Sequence, residues 1–157
     1  MKLITTLIFA LTTLVAVAQN TAPKATLELD MKKAMPGAKL TGTLTVVFAE
    51  GLHAYQNPPS KDYQVPLTLT TDSKGFKITP KYPKGMMRES MGELSALYEG
   101  TVKIPVTIEF PKTAGAYTLK ISVNYQQCNE STCFPPGTVV VESKVTLKKP
   151  STKKINP

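Results

Sequence analysis

An all-β sandwich is the fold the sequence predicts, on three observations. Apolar residues recur at period two in short runs rich in Val, Ile, Thr and Tyr. Turn residues interrupt those runs at intervals of about 8–15 residues, and no stretch keeps a convincing helical period. The chain has 157 residues, 41% hydrophobic and 19% charged, which is the length of one domain and the apolar content of a folded one.

The predicted elements follow in chain order. Residues 25–30 (ATLELD) alternate apolar and polar, and so do Leu40, Gly42, Leu44, Val46 and Phe48, with threonines between most of them. Further strand-like runs are Val65 to Leu69, Phe76 to Ile78, Val102 to Phe110, Tyr117 to Tyr125 and Val139 to Leu147. Pro36-Gly37, Asp72 to Gly75 and Pro111 to Gly115 supply the turn chemistry between them. Seven or eight such strands indicate a sandwich of immunoglobulin-like type. A chain of this size buries roughly two-thirds of its unfolded surface, enough for a core without covalent staples. Two segments break the pattern: residues 51–64 and 80–96 are long, proline-bearing and irregular, and residues 86–97 have room for at most one helical turn. Long loops in a compact domain are usually functional.

The N-terminus sets the expected compartment. Met1-Lys2 precedes the apolar run Leu3 to Ala18, which ends in the small-residue pattern Ala16-Val17-Ala18. This is the layout of a secretory signal peptide over residues 1–18, and the run is short and threonine-bearing for a spanning helix, which needs about 20 apolar residues. The domain then occupies residues 19–147, and residues 148–157 (KKPSTKKINP) form a basic tail expected to be disordered. The expected product is a periplasmic monomer, in a compartment where disulfides form.

Charge excludes less than it suggests. The formal net charge is +8, yet 19 Lys+Arg include a single arginine, Arg88, and four of the lysines sit in the tail. Phosphate and base readers draw on arginine forks, so no nucleic acid partner is expected. Spread lysines read as solubility or as attraction to an anionic membrane surface. One histidine, with no serine or carboxylate tied to it by a motif, gives no hydrolase, and no glycine-rich phosphate loop occurs.

The informative constellation is the cysteine pair in Tyr125-Gln-Gln-Cys128-Asn-Glu-Ser-Thr-Cys133-Phe134-Pro135-Pro136. It lies where one strand ends and the next begins, and a hairpin there brings two positions near the Cα separation that a disulfide needs. A ring this small restricts little of the unfolded ensemble, about 2 kcal/mol in the chain-entropy model, so it is a poor place for a stabilising bridge. Pro135 and Pro136 remove two backbone donors and stiffen the exit. On these grounds alone a redox pair and a structural hairpin disulfide stand level. Metal binding is the weaker third, because two thiolates need further ligands. Asn129-Glu130-Ser131 matches a glycosylation sequon, which between two such cysteines is read as chance.

Cys-x4-Cys-Phe-Pro-Pro resembles the active-site hairpin of the N-terminal periplasmic domain of the thiol:disulfide interchange protein DsbD. Leu97-Tyr98, Lys103-Ile104-Pro105-Val106-Thr107-Ile108 and Gly51-Leu52-His53-Ala54-Tyr55 extend the resemblance over most of residues 25–147. The resemblance implies a thiol–disulfide carrier that needs no cofactor. Its electrons would come from a thioredoxin-like or membrane electron-transfer donor and pass to an oxidised periplasmic disulfide-bonded protein. It assigns the intermolecular mixed disulfide to Cys133 and the resolving thiol to Cys128, and it leaves open whether the module is an enzyme or the carrier domain of one.

The same family shields its cysteines with a cap loop bearing an acidic residue before a Phe. Residues 88–93 correspond, with Met91 at the Phe position and Glu89 at the acidic one, and Met87 as the neighbouring methionine able to cover the pair. His53, Tyr55, Phe134 and Pro135 complete the implied surroundings. The chain departs from the family in its shorter cysteine spacing, in having His53 where an aromatic is usual, and in the expected lack of membrane helices and a thioredoxin-like domain, which implies a stand-alone module. Two rival readings are a copper carrier using Met86, Met87, Met91 and His53, since thioethers and imidazole suit copper, and a scaffold module with an inert disulfide.

Overall fold

Residues 22–148 are described by the computed structural model, so the expected signal peptide and all but the first residue of the basic tail lie outside them. Among the described residues eleven strands follow one another: β1 (Lys24–Glu28), β2 (Lys39–Val47), β3 (His53–Tyr55), β4 (Thr68–Thr70), β5 (Lys77–Pro80) and β6 (Met86–Ser90), then β7 (Glu93–Glu99), β8 (Thr101–Glu109), β9 (Gly115–Tyr125), β10 (Gln127–Cys128) and β11 (Gly137–Leu147). One turn of 3-10 helix, Met31–Lys33, sits between β1 and β2, with the Asp30 side chain accepting from the Lys32 backbone at its start.

The strands form three antiparallel sheets in the orders β1-β2-β8-β5, β11-β9-β4 and β10-β3-β7-β6. Period-two alternation puts Leu44 and Val46 of β2 on one face of the first sheet with Val102, Ile104, Val106 and Ile108 of β8, all buried. Leu119, Ile121 and Val123 of β9 join Val145 and Leu147 of β11 on the inner face of the second. These two sets, with Phe48, Leu67, Ala54 and Tyr98, make one apolar core, the immunoglobulin-like sandwich that the alternation predicts. Phe76 closes one end, edge-on to Phe110 at 5.5 Å and to Tyr117 at 5.9 Å between ring centres.

Two expectations need correction. The run Val65 to Leu69 yields only β4, because Pro66 has no N–H to give a ladder; it makes an isolated bridge to Tyr55 instead, and Val65 is exposed. The cap segment, expected as an irregular loop with at most one helical turn, is a β-hairpin of β6 and β7. Its connection is the two-residue turn Met91-Gly92, with φ of 54° and 78°. Positive φ at both central positions is what the twist of a tight hairpin demands, and Met91 is the one non-glycine residue with positive φ among the described residues.

The third sheet brings distant segments to one place. β9 delivers the chain to Tyr125, which pairs with Gly137 of β11, and the Tyr125 side chain lies so close over Gly137 that a Cβ there would meet its hydroxyl oxygen at 2.8 Å. Two residues later the chain has changed sheets, and Gln127–Cys128 pair with Ala54 and His53 of β3. β3 pairs in turn with β7, so cysteine strand and cap hairpin belong to one sheet.

Candidate functional site

Cys128 and Cys133 are joined by a disulfide with a Cα separation of 4.0 Å, closer than the usual 4.4–6.8 Å. Local pairing explains the closeness. The Asn129 N–H donates to the Thr132 carbonyl at 2.9 Å and the Phe134 N–H to the Gln127 carbonyl at 2.8 Å. The cysteines face each other between these two bonds, at the narrow, non-hydrogen-bonded position of an antiparallel pair. Glu130-Ser131 is the turn, and the Asn129 side-chain oxygen accepts from the backbone N–H groups of Ser131 (3.0 Å) and Thr132 (2.8 Å). The asparagine of the apparent sequon thus folds the ring. The Gln126 side chain donates to the Phe134 carbonyl at 3.1 Å and ties the far side to β9.

The two sulfurs are not equivalent. Cys128 is fully buried against Tyr55 and Leu97, while Cys133 packs on the edge of that small cluster, partly open. Two groups cover Cys133: the Tyr55 hydroxyl, 3.9 Å from its Sγ, and the Met91 thioether, whose Sδ lies 3.7 Å away. A disulfide sulfur has no hydrogen, so Tyr55 is the donor in the first contact. Phe134 is half-buried and Pro135 exposed at the exit of the ring.

The cap is fastened from below. Ser90, the residue before Met91, is buried, and its Oγ is 3.0 Å from Nε2 of the buried His53. His53 is the register partner of Cys128, so one hydrogen bond links the cysteine strand's neighbour to the cap's apex. Burial pushes the His53 imidazole below its ordinary range, and the Glu99 carboxylate partly opposes this. Beside His53 a cleft of about 490 Å³ is bordered by Arg88, Glu89, Glu99 and Glu130, so it runs from the cap to the turn of the cysteine ring. Arg88 and Glu99 pair across it at 3.7 Å, with both side chains substantially exposed, so screening leaves the pair little energetic weight.

Side chains alternate along β6, and register partners share a face. Met86, Arg88 and Ser90 therefore lie on the face that carries Leu97, Tyr55, His53 and Cys128. Met87 and Glu89 lie on the opposite face, with Ala96, Tyr98 and Ala54; Glu89 still borders the cleft. Of the residues named for the cap, Met91 touches the disulfide and Met87 faces away from it. The residues of the copper alternative do not converge: Met86 and Met87 point to opposite faces, Met91 contacts sulfur, and the Nε2 of His53 is engaged by Ser90. Among the described residues no three His, Cys, Asp or Glu side chains are grouped to hold a metal ion.

Sequence reasoning missed Ser90, Asn129, Gln64 and Ser95. Gln64 accepts from the Ser60 and Lys61 N–H groups and donates to Ser95 at 2.8 Å, while Ser60 accepts from the Ala96 N–H at 3.0 Å. These bonds strap residues 56–66 across β7. Only Asn129 had a local signal, the Asx preference for turns.

The model of the family described as thiol:disulfide interchange protein DsbD, N-terminal, matches residues 19–145. Among solved structures, the N-terminal periplasmic domain of ScsB from Proteus mirabilis is similar at a TM-score of 0.55 and 13% identity, over 85% of this chain and 49% of that one. This chain thus spans about half the length of that structure, and the likeness carries the fold. The Neisseria meningitidis DsbD N-terminal domain in the reduced form has a TM-score of 0.47 and 21% identity, over 76% of this chain and 84% of that one. The GAE domain of GGA2p from Saccharomyces cerevisiae has a TM-score of 0.44 and 14% identity, over 81% and 94% respectively. Curated sequences give no match. The family match contains both cysteines and every strand except the last two residues of β11, and the chain belongs to the family of DsbD N-terminal domains.

Proposed function

We propose that this chain is a periplasmic thiol–disulfide exchange module that carries two electrons at a time through a reversible Cys128–Cys133 bond. The observation that carries the reading is the asymmetry of the pair: one sulfur fully buried, the other partly open beneath the Met91 thioether and the Tyr55 hydroxyl. Family membership supports the exchange chemistry.

To load the module, a thiolate of a thioredoxin-like or membrane donor attacks Cys133 Sγ in line with the existing bond. A donor–Cys133 disulfide forms and Cys128 leaves as thiolate. The donor's second thiolate then attacks its own sulfur in that mixed disulfide and departs oxidised, leaving the module as a dithiol. To unload, the Cys133 thiolate attacks the disulfide of an oxidised periplasmic acceptor, and Cys128 attacks Cys133 Sγ to release the acceptor as a dithiol. Each passage moves two electrons and two protons. Tyr55 holds a hydroxyl over Cys133 Sγ, at 3.9 Å. Cys128 keeps its place in the ladder with β3, so the resolving sulfur is held near its target throughout.

The test is the reduction potential of the pair in a dithiothreitol or glutathione buffer, with a Cys128→Ser variant alongside. A carrier equilibrates with the buffer at a potential above about −300 mV, and the variant accumulates a mixed disulfide on Cys133. A value well below that, with no reduction by a thioredoxin-like donor, would mean an inert structural bond and sink the proposal.

A further inference from the structure

We propose that Met91 is an oxidation site: hydrogen peroxide converts its thioether to the sulfoxide, and the modified side chain no longer covers Cys133, which keeps only the Tyr55 hydroxyl over it. The site is built from three observations. Met91 is 53% exposed, so an oxidant reaches its sulfur from solvent. That sulfur touches Cys133 Sγ at 3.7 Å, so the atom that is modified is the atom that covers. The backbone beneath it is held, by the Ser90–His53 bond on one side and the tight turn through Gly92 on the other.

The step balances without help from the protein. The Met91 Sδ lone pair attacks one oxygen of hydrogen peroxide, an S–O bond forms as the O–O bond breaks, and the proton of the attacked oxygen passes through solvent to the departing oxygen, which leaves as water. The sulfur is oxidised by two electrons and the peroxide reduced by two. The product is polar and carries a strong acceptor oxygen. A disulfide sulfur offers that oxygen no hydrogen, so it turns to water, and a soft sulfur–sulfur contact is replaced by an open one. Met86 and Met87 are equally exposed, at 50% and 51%, and serve as internal controls because neither has a contact to the disulfide among those described.

The functional meaning rests on the exchange reading, but the observable does not. The disulfide form is treated with hydrogen peroxide, which spares cysteines already paired, and peptide masses report oxygen addition at each methionine. The rate of disulfide reduction by dithiothreitol is then measured, a readout that stands whether or not a thioredoxin-like protein reduces the bond. Sulfoxide at Met91 is expected to raise that rate by about three- to tenfold. Methionine sulfoxide reductase is expected to return it to the starting value. Met91→Leu keeps an apolar cover and should show no response to peroxide, while Met86→Leu/Met87→Leu should respond like the parent. An unchanged rate with Met91 oxidised overturns the proposal. So does a response that survives in Met91→Leu, or a Met91 that stays unmodified while Met86 and Met87 react.

Discussion

Replacing Ser90 by Ala removes the buried side-chain hydrogen bond between β6 of the cap hairpin and β3. His53 and Ser90 are 6% and 5% exposed, and their contact at 3.0 Å is well inside hydrogen-bonding range. The hydroxyl is small, so its loss leaves little cavity, and the cost comes from the bond and from an imidazole nitrogen stranded without a partner. Those contributions together are worth about 1–3 kcal/mol. β6 is an edge strand whose outer residues are exposed, so the hairpin can part slightly and admit water, which favours the lower half of that range, about 1.5 kcal/mol. For a domain of this size that is a fall of about 5 °C in Tm. Urea unfolding of the disulfide form, followed by circular dichroism, should show a lower midpoint with an unchanged m-value. Ser90→Thr, which keeps the hydroxyl, should recover most of the loss. The reasoning is refuted if Ser90→Ala costs under about 0.3 kcal/mol, or if its effect simply adds to that of His53→Ala, because two residues in one bond must couple.

Three further outcomes follow from the same geometry. His53 is held below its ordinary value of 6.5, so the unfolded chain takes up a proton before the native one does. Its full stability is present above about pH 6.5 and is lost as pH falls through that value towards the lower native one; parallel stability–pH curves for the parent and His53→Gln would contradict this. Gly42→Ala places a Cβ 2.5 Å from the Glu28 carbonyl oxygen and 2.9 Å from Leu29 Cδ1, so β1 must move off β2, and thermal unfolding should report a loss of about 1–3 kcal/mol. Ile121→Ala empties a site with no solvent exposure between the packed sheets and should cost about 2–5 kcal/mol by denaturant titration, whether or not the disulfide is reduced.

The sandwich was legible in the sequence where residues are β-branched and one face is buried. β2, β8 and β9 announce themselves because Val, Ile and Leu alternate with Thr and Lys, and burial follows that alternation residue by residue. The cap hairpin was not legible, because Met86 to Ser90 and Glu93 to Leu97 are mostly Met, Glu, Ser, Leu and Ala, residues with little strand preference, and Tyr98 alone does not mark a strand. Their pairing comes from the tight turn and from neighbours such as Tyr55, which is remote in sequence. The disulfide hairpin could be read because both cysteines sit within six residues, where one strand ends and the next begins. The His53–Ser90 bond spans 37 residues, and no local pattern marks a serine whose importance lies in what it touches.

The turn at Met91-Gly92 has a consequence for how this protein would evolve under different pressures. At a φ of 54° a glycine or asparagine sits more easily than methionine, and Gly92 already has open space about it. Selection for thermal stability alone would therefore drift towards Asn-Gly or Gly-Gly at these two positions and gain some hairpin stability. The same drift would delete the only thioether that touches Cys133 among the described residues. A library screened by heat and one screened for controlled access to the disulfide should part company at residue 91 first.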